Sequence, residues 1–293
     1  IQIKRKDTIM TKIGIIGGSG LYNMEGMENV EEQEFMDTPF GQPSDSFKVG
    51  DFHGVEVVFL SRHGKGHRIG PSNINYRANL FVMKRLGVKA IVSVSACGSL
   101  KEEIKPMDFV VPDQFLDRTN RSREASFFTD GIVAHVPMAD PVSPEITRVL
   151  IDACKQAGVT VHEKGTYVNM EGPQFSTKAE SNLYRSWGMD IIGMTNFVEA
   201  KLAREAEMSY ATLSSVTDYD CWHPDHDSVT LDMIINNLNN NIKNAQKVLE
   251  TAIPAIDQIE TFSAANALQY AIVTDPEHIN ENLKRKMSVL IEK

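Results

Sequence analysis

Short apolar runs rich in Val and Ile alternate with stretches of helical periodicity along nearly the whole chain, an alternation that few folds accommodate. Residues 12–16, 55–60, 90–95, 109–112, 165–170, 191–194 and 210–216 read as strands. The runs at 55–60 and 90–95 are of the kind that fill a sheet covered on both faces. Helix starts are legible between them. Ser143-Pro144-Glu145 sets a cap, a first-turn proline and an acid before 146–157, which Gly158 ends. Thr177 with Glu180 forms a capping box ahead of 183–187, and Asn196 with Glu199 resembles a second, opening 198–206. Ser228 precedes a long helix through Ile234, Leu238, Ile242 and Val248, closed by Pro254. A last helical pair is expected at 264–271 and 276–291, with the C-terminal helices beginning near residue 262. The pattern predicts a single α/β domain over residues 10–293, built on a twisted, mainly parallel sheet, with residues 1–9 as an N-terminal extension.

Composition narrows the function. A formal net charge of −9 argues against nucleic acid or an anionic membrane as partner, while leaving room for one pocket that holds a small anion. Three cysteines without a CxxC pair exclude a disulfide scaffold and favour the cytoplasm. No run approaches the roughly 18 apolar residues of a membrane span.

Five stretches invite a chemical reading. Gly17-Gly18-Ser19-Gly20 follows a strand and reads equally as a tight turn or an anion cradle. It lacks the third glycine of a dinucleotide fingerprint and the Lys-Ser/Thr of a P-loop, which weakens the rival reading as a dinucleotide-binding oxidoreductase. In Ser61-Arg62-His63-Gly64-Lys65-Gly66-His67, at the end of a strand, Arg62 offers a planar donor fork suited to phosphate. Its truncation is expected to cost phosphate affinity and leave the fold intact. Cys97, in Ser95-Ala96-Cys97-Gly98-Ser99, reads as a small buried hydrophobe in preference to a nucleophile. Asp218 and Asp220 close the strand 210–216 and, in extended backbone, face one side, which raises the pKa of one of them and suits a general acid. His223-Pro224-Asp225-His226-Asp227 lacks metal-ligand spacing and reads as a loop; no metal site is expected.

Taken in order, these stretches resemble the 5′-methylthioadenosine phosphorylases of the trimeric purine nucleoside phosphorylase family. The matching residues are Gly14 to Leu21, Asp37-Thr38-Pro39-Phe40-Gly41, Arg62-His63-Gly64, Pro71-Ser72 with Asn75-Tyr76, and Ala96 to Leu100. His135-Val136-Pro137-Met138, Glu171 to Ser176, Met194-Thr195, Glu199 and Thr217 to Trp222 follow. The resemblance implies a nucleoside phosphorylase-like fold, a twisted mixed and partly barrel-like sheet surrounded by helices. It implies a homotrimer or a dimer of trimers with sites near subunit interfaces. By position, Ser19, Arg62, His63, Ser95, Ala96 and Thr195 would hold phosphate. Met194 would pack on the ribose and hydrogen-bond it through its backbone, and Phe175 and Ser176 would border the base. His67 and a neighbouring subunit's His135 would close the sugar end, with Val229, Leu231 and Ile235 as an apolar wall for a methylthio group.

The implied reaction is phosphorolysis of 5′-methylthioadenosine to adenine and 5-methylthioribose 1-phosphate, in purine and methionine salvage, with inorganic phosphate as co-substrate and no cofactor. Asp218 would act on purine nitrogen 7 and Asp220 on the 6-amino group, which speaks against a 6-oxopurine enzyme of the same fold. A non-catalytic nucleoside sensor is the remaining alternative. Val198 stands where relatives usually have proline, a change expected to soften the loop behind Met194.

Overall fold

The computed structural model describes residues 11–120, 123–224 and 231–292, without the side chains of 231–234. Among these residues eleven strands form one mixed sheet, largely parallel, with the order β2-β3-β4-β1-β5-β10-β9-β7. The central members are β1 (Lys12–Gly17), β4 (Val55–Ser61) and β5 (Val88–Ser99), in parallel register. Strands β2 (Met27–Gln33) and β3 (Phe47–Phe52) extend the β4 edge antiparallel. The other arm passes through β10 (Ile191–Gly193) and β9 (Thr166–Met170) to β7 (Gln114–Arg118). From β5 a second branch leaves through β11 (Ser209–Asp218) and β6 (Phe109–Val110) to β8 (Val161–His162). The sheet therefore forks at β5 but does not close into a barrel.

Alternation along the strands explains the layers. Ile13, Ile15, Val57, Phe59, Val92 and Leu213 point into a core shared with α2 (Pro144–Gln156) and α5 (Leu231–Asp257). Ile16, Val58, Leu60 and Ile91 point the other way, against α1 (Tyr76–Arg85), α4 (Asn196–Glu205) and α6 (Glu281–Ile291). A strand buried on both faces must be apolar throughout, which is why these runs were conspicuous. The capping box predicted at Thr177 is present and opens α3 (Lys178–Ser186).

Three expectations are corrected. Pro254 does not end the long helix: α5 continues through it to Asp257, only three residues beyond. Ser228, expected to cap it, lies outside the described residues. Residues 264–271 form successive turns instead of a helix. The N–H groups of Ala265, Ala267, Gln269 and Ala271 bond three residues back and close tight turns, while Ala264 donates to Ser209 Oγ and Leu268 to Glu207 Oε1, which breaks the helical ladder. The Asn196–Glu199 pair is no capping box, because α4 begins after Thr195 without a side-chain cap and both side chains turn into the protein.

Candidate active site

β1 ends at Gly17, level with Ser61 of β4 and Val94 of β5, and β10 joins β5 only at Gly98 and Ser99. Between those two junctions the edge of β5 is unpaired on that side, a crevice at strand ends of the kind where open sheets bind ligands. A Cβ on Gly18 would lie 2.6 Å from Val94 O, 2.8 Å from Arg62 Nη1 and 3.3 Å from Ser95 Cα. Only glycine lets the turn approach β5 and the guanidinium this closely. Gly20, at φ +82°, seats against Ile242 of α5.

Arg62 is fully buried, and its fork is already engaged. Nε and Nη2 donate to the two carboxylate oxygens of Glu199, Nη2 also to Ser93 Oγ, and Nη1 to Val94 O at 3.3 Å. Ser93 Oγ and Tyr210 OH complete the carboxylate's shell at 2.8 and 2.9 Å. Burial alone would lower the Arg62 pKa, but the Glu199 charge and hydrogen bond outweigh it and hold it above its ordinary value. What Arg62 offers the crevice is thus the Nη1 edge, not the bidentate fork that its sequence context suggests. Beside it, Ser95 Oγ is buried with no hydrogen-bond partner among the described residues. Thr195, also buried, opens α4 without capping it: its hydroxyl donates to Asn196 Oδ1 at 3.3 Å, and Asn169 Oδ1 takes the Phe197 N–H of the first turn at 3.0 Å. Ser19 and Ala96 are half-buried on the turn and on β5.

His63 is buried next to Arg62, and its Nδ1 meets Ile69 O at 2.8 Å, so the proton of the neutral ring sits on Nδ1. Burial and the Arg62 charge push its pKa down to about 3. The His67 ring stacks on it at 4.1 Å and meets Tyr22 OH at 3.2 Å.

Three residues further along β5, Gly98 lies opposite Asp218 of β11 across a bulge. A Cβ at Gly98 would come within 3.1 Å of Asp218 Oδ1, so the small residue makes room for the carboxyl. Asp218 accepts from Thr217 Oγ1 at 2.7 Å and from the Asp220 N–H at 2.8 Å. Burial nevertheless raises its pKa to about 6, aided by the Asp220 charge. The two aspartates do not share one strand face: β11 ends at Asp218, and Asp220 takes a left-handed backbone at φ 53°. Burial raises its pKa too, opposed by the hydroxyls of Ser181 and Ser176.

Met194 follows β10 and packs its Sδ over Gly172, while its carbonyl accepts from Arg123 Nη1. Ser176 is half-buried beside Cys221, and Phe175 stands 65% exposed at the rim. Ile235 shares the α5 face of Leu238 and Ile242, which pack on Gly20, and is itself 43% exposed. Leu231 begins α5, and Val229 lies outside the described residues, as do Asp225, His226 and Asp227. His135 is exposed, with its N–H on Ala271 O, and this chain does not bring it to the other residues. A cavity of about 600 Å³ between α2 and the segment before β7 lies away from all of them.

Two groups escape sequence reasoning. One is the hub of Glu199, Ser93, Tyr210 and Asn196 behind Arg62. The other is Arg123, which donates to Glu171 Oε1 at 3.1 Å and to the carbonyls of Glu171 and Met194, binding two loops together. Arg123→Ala leaves these acceptors unserved and is expected to cost about 1.5–3 kcal/mol, read as a lowered urea midpoint. Cys97 is buried, its Sγ toward Ser215 O at 3.6 Å, and burial first and then Asp218 raise its pKa well above normal. Cys97→Ser should keep most turnover, and native protein should resist iodoacetamide at this position; a covalent intermediate trapped on Cys97 would reverse that conclusion.

The family model for the Phosphorylase superfamily matches residues 12–254, and the chain belongs to that superfamily. Within it, the S-methyl-5′-thioadenosine phosphorylase of a Synechocystis species is 56% identical, covering 99% of this chain and 90% of that protein. The protein of the same description from Koribacter versatilis is 54% identical over 97% of each. A crystal structure of methylthioadenosine phosphorylase from an antarctic soil metagenomic library superposes with a TM-score of 0.91, at 50% identity over 96% of this chain and 99% of that one. An adenosine/methylthioadenosine phosphorylase variant from Schistosoma mansoni, in complex with methylthioadenosine, gives 0.79 at 38% identity over 85% and 93%.

Proposed function

We propose that the protein catalyses phosphorolysis of 5′-methylthioadenosine, yielding adenine and 5-methylthioribose 1-phosphate. One juxtaposition carries the reading. The anion crevice at Gly18, Arg62 and Ser95 and the carboxyl of Asp218 sit at neighbouring positions of one strand, Ser95 and Gly98 of β5. Three residues of strand span about 10 Å, enough to set a ribose between a phosphate and a purine.

Phosphate rests under the anomeric carbon on Ser19, Arg62, His63, Ser95, Ala96 and Thr195. The Ser95 hydroxyl, buried with no hydrogen-bond partner among the described residues, is the group there that most lacks one without it. As the C–N bond lengthens, positive charge develops on the ribosyl carbon and meets the anion, and negative charge develops on the purine. Asp218, protonated in part near neutrality, donates to nitrogen 7, while Asp220 accepts from the 6-amino group. Met194 packs on the sugar with Arg123 fixing its backbone, leaving its N–H for the ribose. Phe175 and Ser176 border the base, and His67, Val229, Leu231 and Ile235 the 5′ end. An apolar wall rejects a hydroxyl poorly, so adenosine is a secondary substrate.

The exposure of His135 and of Phe175 fits a homotrimer in which a neighbour's His135 completes the sugar end. No described helix is long and apolar enough to cross a membrane, and we place the enzyme in the cytoplasm, using phosphate as co-substrate and no cofactor. The test is a phosphate-dependent assay of methylthioadenosine, adenosine and inosine side by side. Adenine release from methylthioadenosine only when phosphate is present supports the reading; release without phosphate, or preference for inosine, overturns it.

A further inference from the structure

The crevice contains no uncancelled positive charge among its described residues. Glu199 neutralises Arg62 within a buried pair, and His63 stays neutral because its pKa is pushed down to about 3. An anion seated there is held by neutral donors and one guanidinium edge, so a lone pair that meets one of its oxygens directly weighs against binding. The neutral donors there are the unpartnered Ser95 hydroxyl and the Ser19 hydroxyl on the turn, beside the Arg62 Nη1 edge; the Thr195 hydroxyl is given to Asn196 Oδ1 and the Phe197 N–H of α4 to Asn169 Oδ1. His63 differs from all of them. Its Nδ1–H is tied to Ile69 O, so the other ring nitrogen, Nε2, is a lone pair and has no described hydrogen-bond partner. The groups packed around it do not supply a proton readily: Arg62 is a permanent cation, and His67, stacked on its face with Tyr22 behind, has its own pKa lowered by burial. Lys65 and Arg68 are exposed on the same turn.

We propose that His63 accepts a hydrogen bond from the bound anion, making the crevice selective for an oxyanion that carries its own proton. Hydrogenphosphate and its arsenate analogue satisfy Nε2 with their hydroxyl; sulfate, unprotonated near neutrality, meets it lone pair to lone pair. Sulfate binds only if His63 first takes a proton from solvent, whereas hydrogenphosphate needs none. The inference rests on the phosphate-site reading above and adds a selectivity to it.

The experiment is calorimetric titration of the full-length protein with phosphate and with sulfate at about pH 5.5, 6.5 and 7.5, without nucleoside. Sulfate affinity should fall by roughly tenfold or more across that range, following the uptake of one proton, while phosphate affinity does not fall. The buffer-dependent heats should report proton uptake with sulfate alone. In His63→Gln, whose amide can donate, sulfate affinity should lose its pH dependence and approach that of phosphate. The wild-type slopes decide the matter even where the variant folds poorly. Parallel pH dependence for the two anions overturns the role of His63 while leaving the phosphate site standing. Failure of both anions to bind removes the site itself and this inference with it.

Discussion

Arg62→Ala is expected to lower the unfolding free energy by about 3–5 kcal/mol, because it strands Glu199 as an unpaired carboxylate in the core. That is a large part of the 5–15 kcal/mol typical of a folded domain. The expectation that this substitution spares the fold does not survive the structure: Arg62 and Glu199 are each 1% exposed and hold one another through two hydrogen bonds. Glu199→Ala should be similarly costly, since it strands the guanidinium. The double variant Arg62→Met/Glu199→Leu separates the roles. With both charges gone, most of the stability should return, because apolar replacements of a buried pair are often neutral or better. Phosphate-dependent turnover should not return, because the Nη1 edge is missing. Urea midpoints for the three variants and phosphate KM for any that fold provide the check. An Arg62→Ala midpoint equal to wild type would show that the pair holds nothing together.

That pair marks the boundary of what the sequence reveals. The strands β1, β4 and β5 are legible because burial on both faces demands unbroken apolar runs, and the glycine turn is legible because nothing else fits against Val94 and Arg62. Strand β2, with the sequence MENVEEQ, escapes because it is an exposed edge, where acidic residues cost nothing and leave no apolar signal. Helix α1 begins on Asn75, a proper cap, but the cap lies in a polar stretch without an acid in the first turn to accompany it. Arg62 and Glu199 are separated by 137 residues, and each alone looks like a surface charge or a ligand. Only the packing of α4 across β5 turns Glu199 from a first-turn acid into a counter-ion. Arg123 is hidden for the same reason, its partners being the carboxylate of Glu171, 48 residues away, and backbone carbonyls that carry no sequence signature. Asp218 was legible as a candidate because it closes a strand, whereas its separation from Asp220 depends on a left-handed residue that no periodicity announces.

Asp218→Asn should depress turnover of methylthioadenosine by one to two powers of ten or more and move the preference toward inosine. Losing a charge-assisted hydrogen bond at a buried site costs about 1.5–3 kcal/mol. Losing the proton donor adds to that, since general acids contribute typically ~10²–10⁴. An amide still faces nitrogen 7 and can donate to a 6-oxo group, but it has no proton to give adenine. The pH profile supplies an independent signature. Burial raises the Asp218 pKa from 3.8 to about 6, so the protonated form is complete below that value and lost as pH rises through it. At saturating phosphate, kcat/KM for methylthioadenosine should therefore fall about tenfold per pH unit on the alkaline limb, with the bend at or above pH 6 because a bound anion nearby moves the carboxyl further up. The asparagine variant should lose this limb while keeping its low, flat rate. Stability bends in the same direction: the native state binds the proton more tightly than the unfolded chain, so Asp218 weakens the fold increasingly between about pH 4 and pH 6, and the asparagine variant gains relative stability above that window. Asp220→Asn should be milder, since its partners are hydroxyls and an amino group that an amide oxygen can also serve. If Asp218→Asn leaves both the methylthioadenosine-to-inosine ratio and the alkaline limb unchanged, the proton comes from another group and the carboxyl at the end of β11 only shapes the pocket.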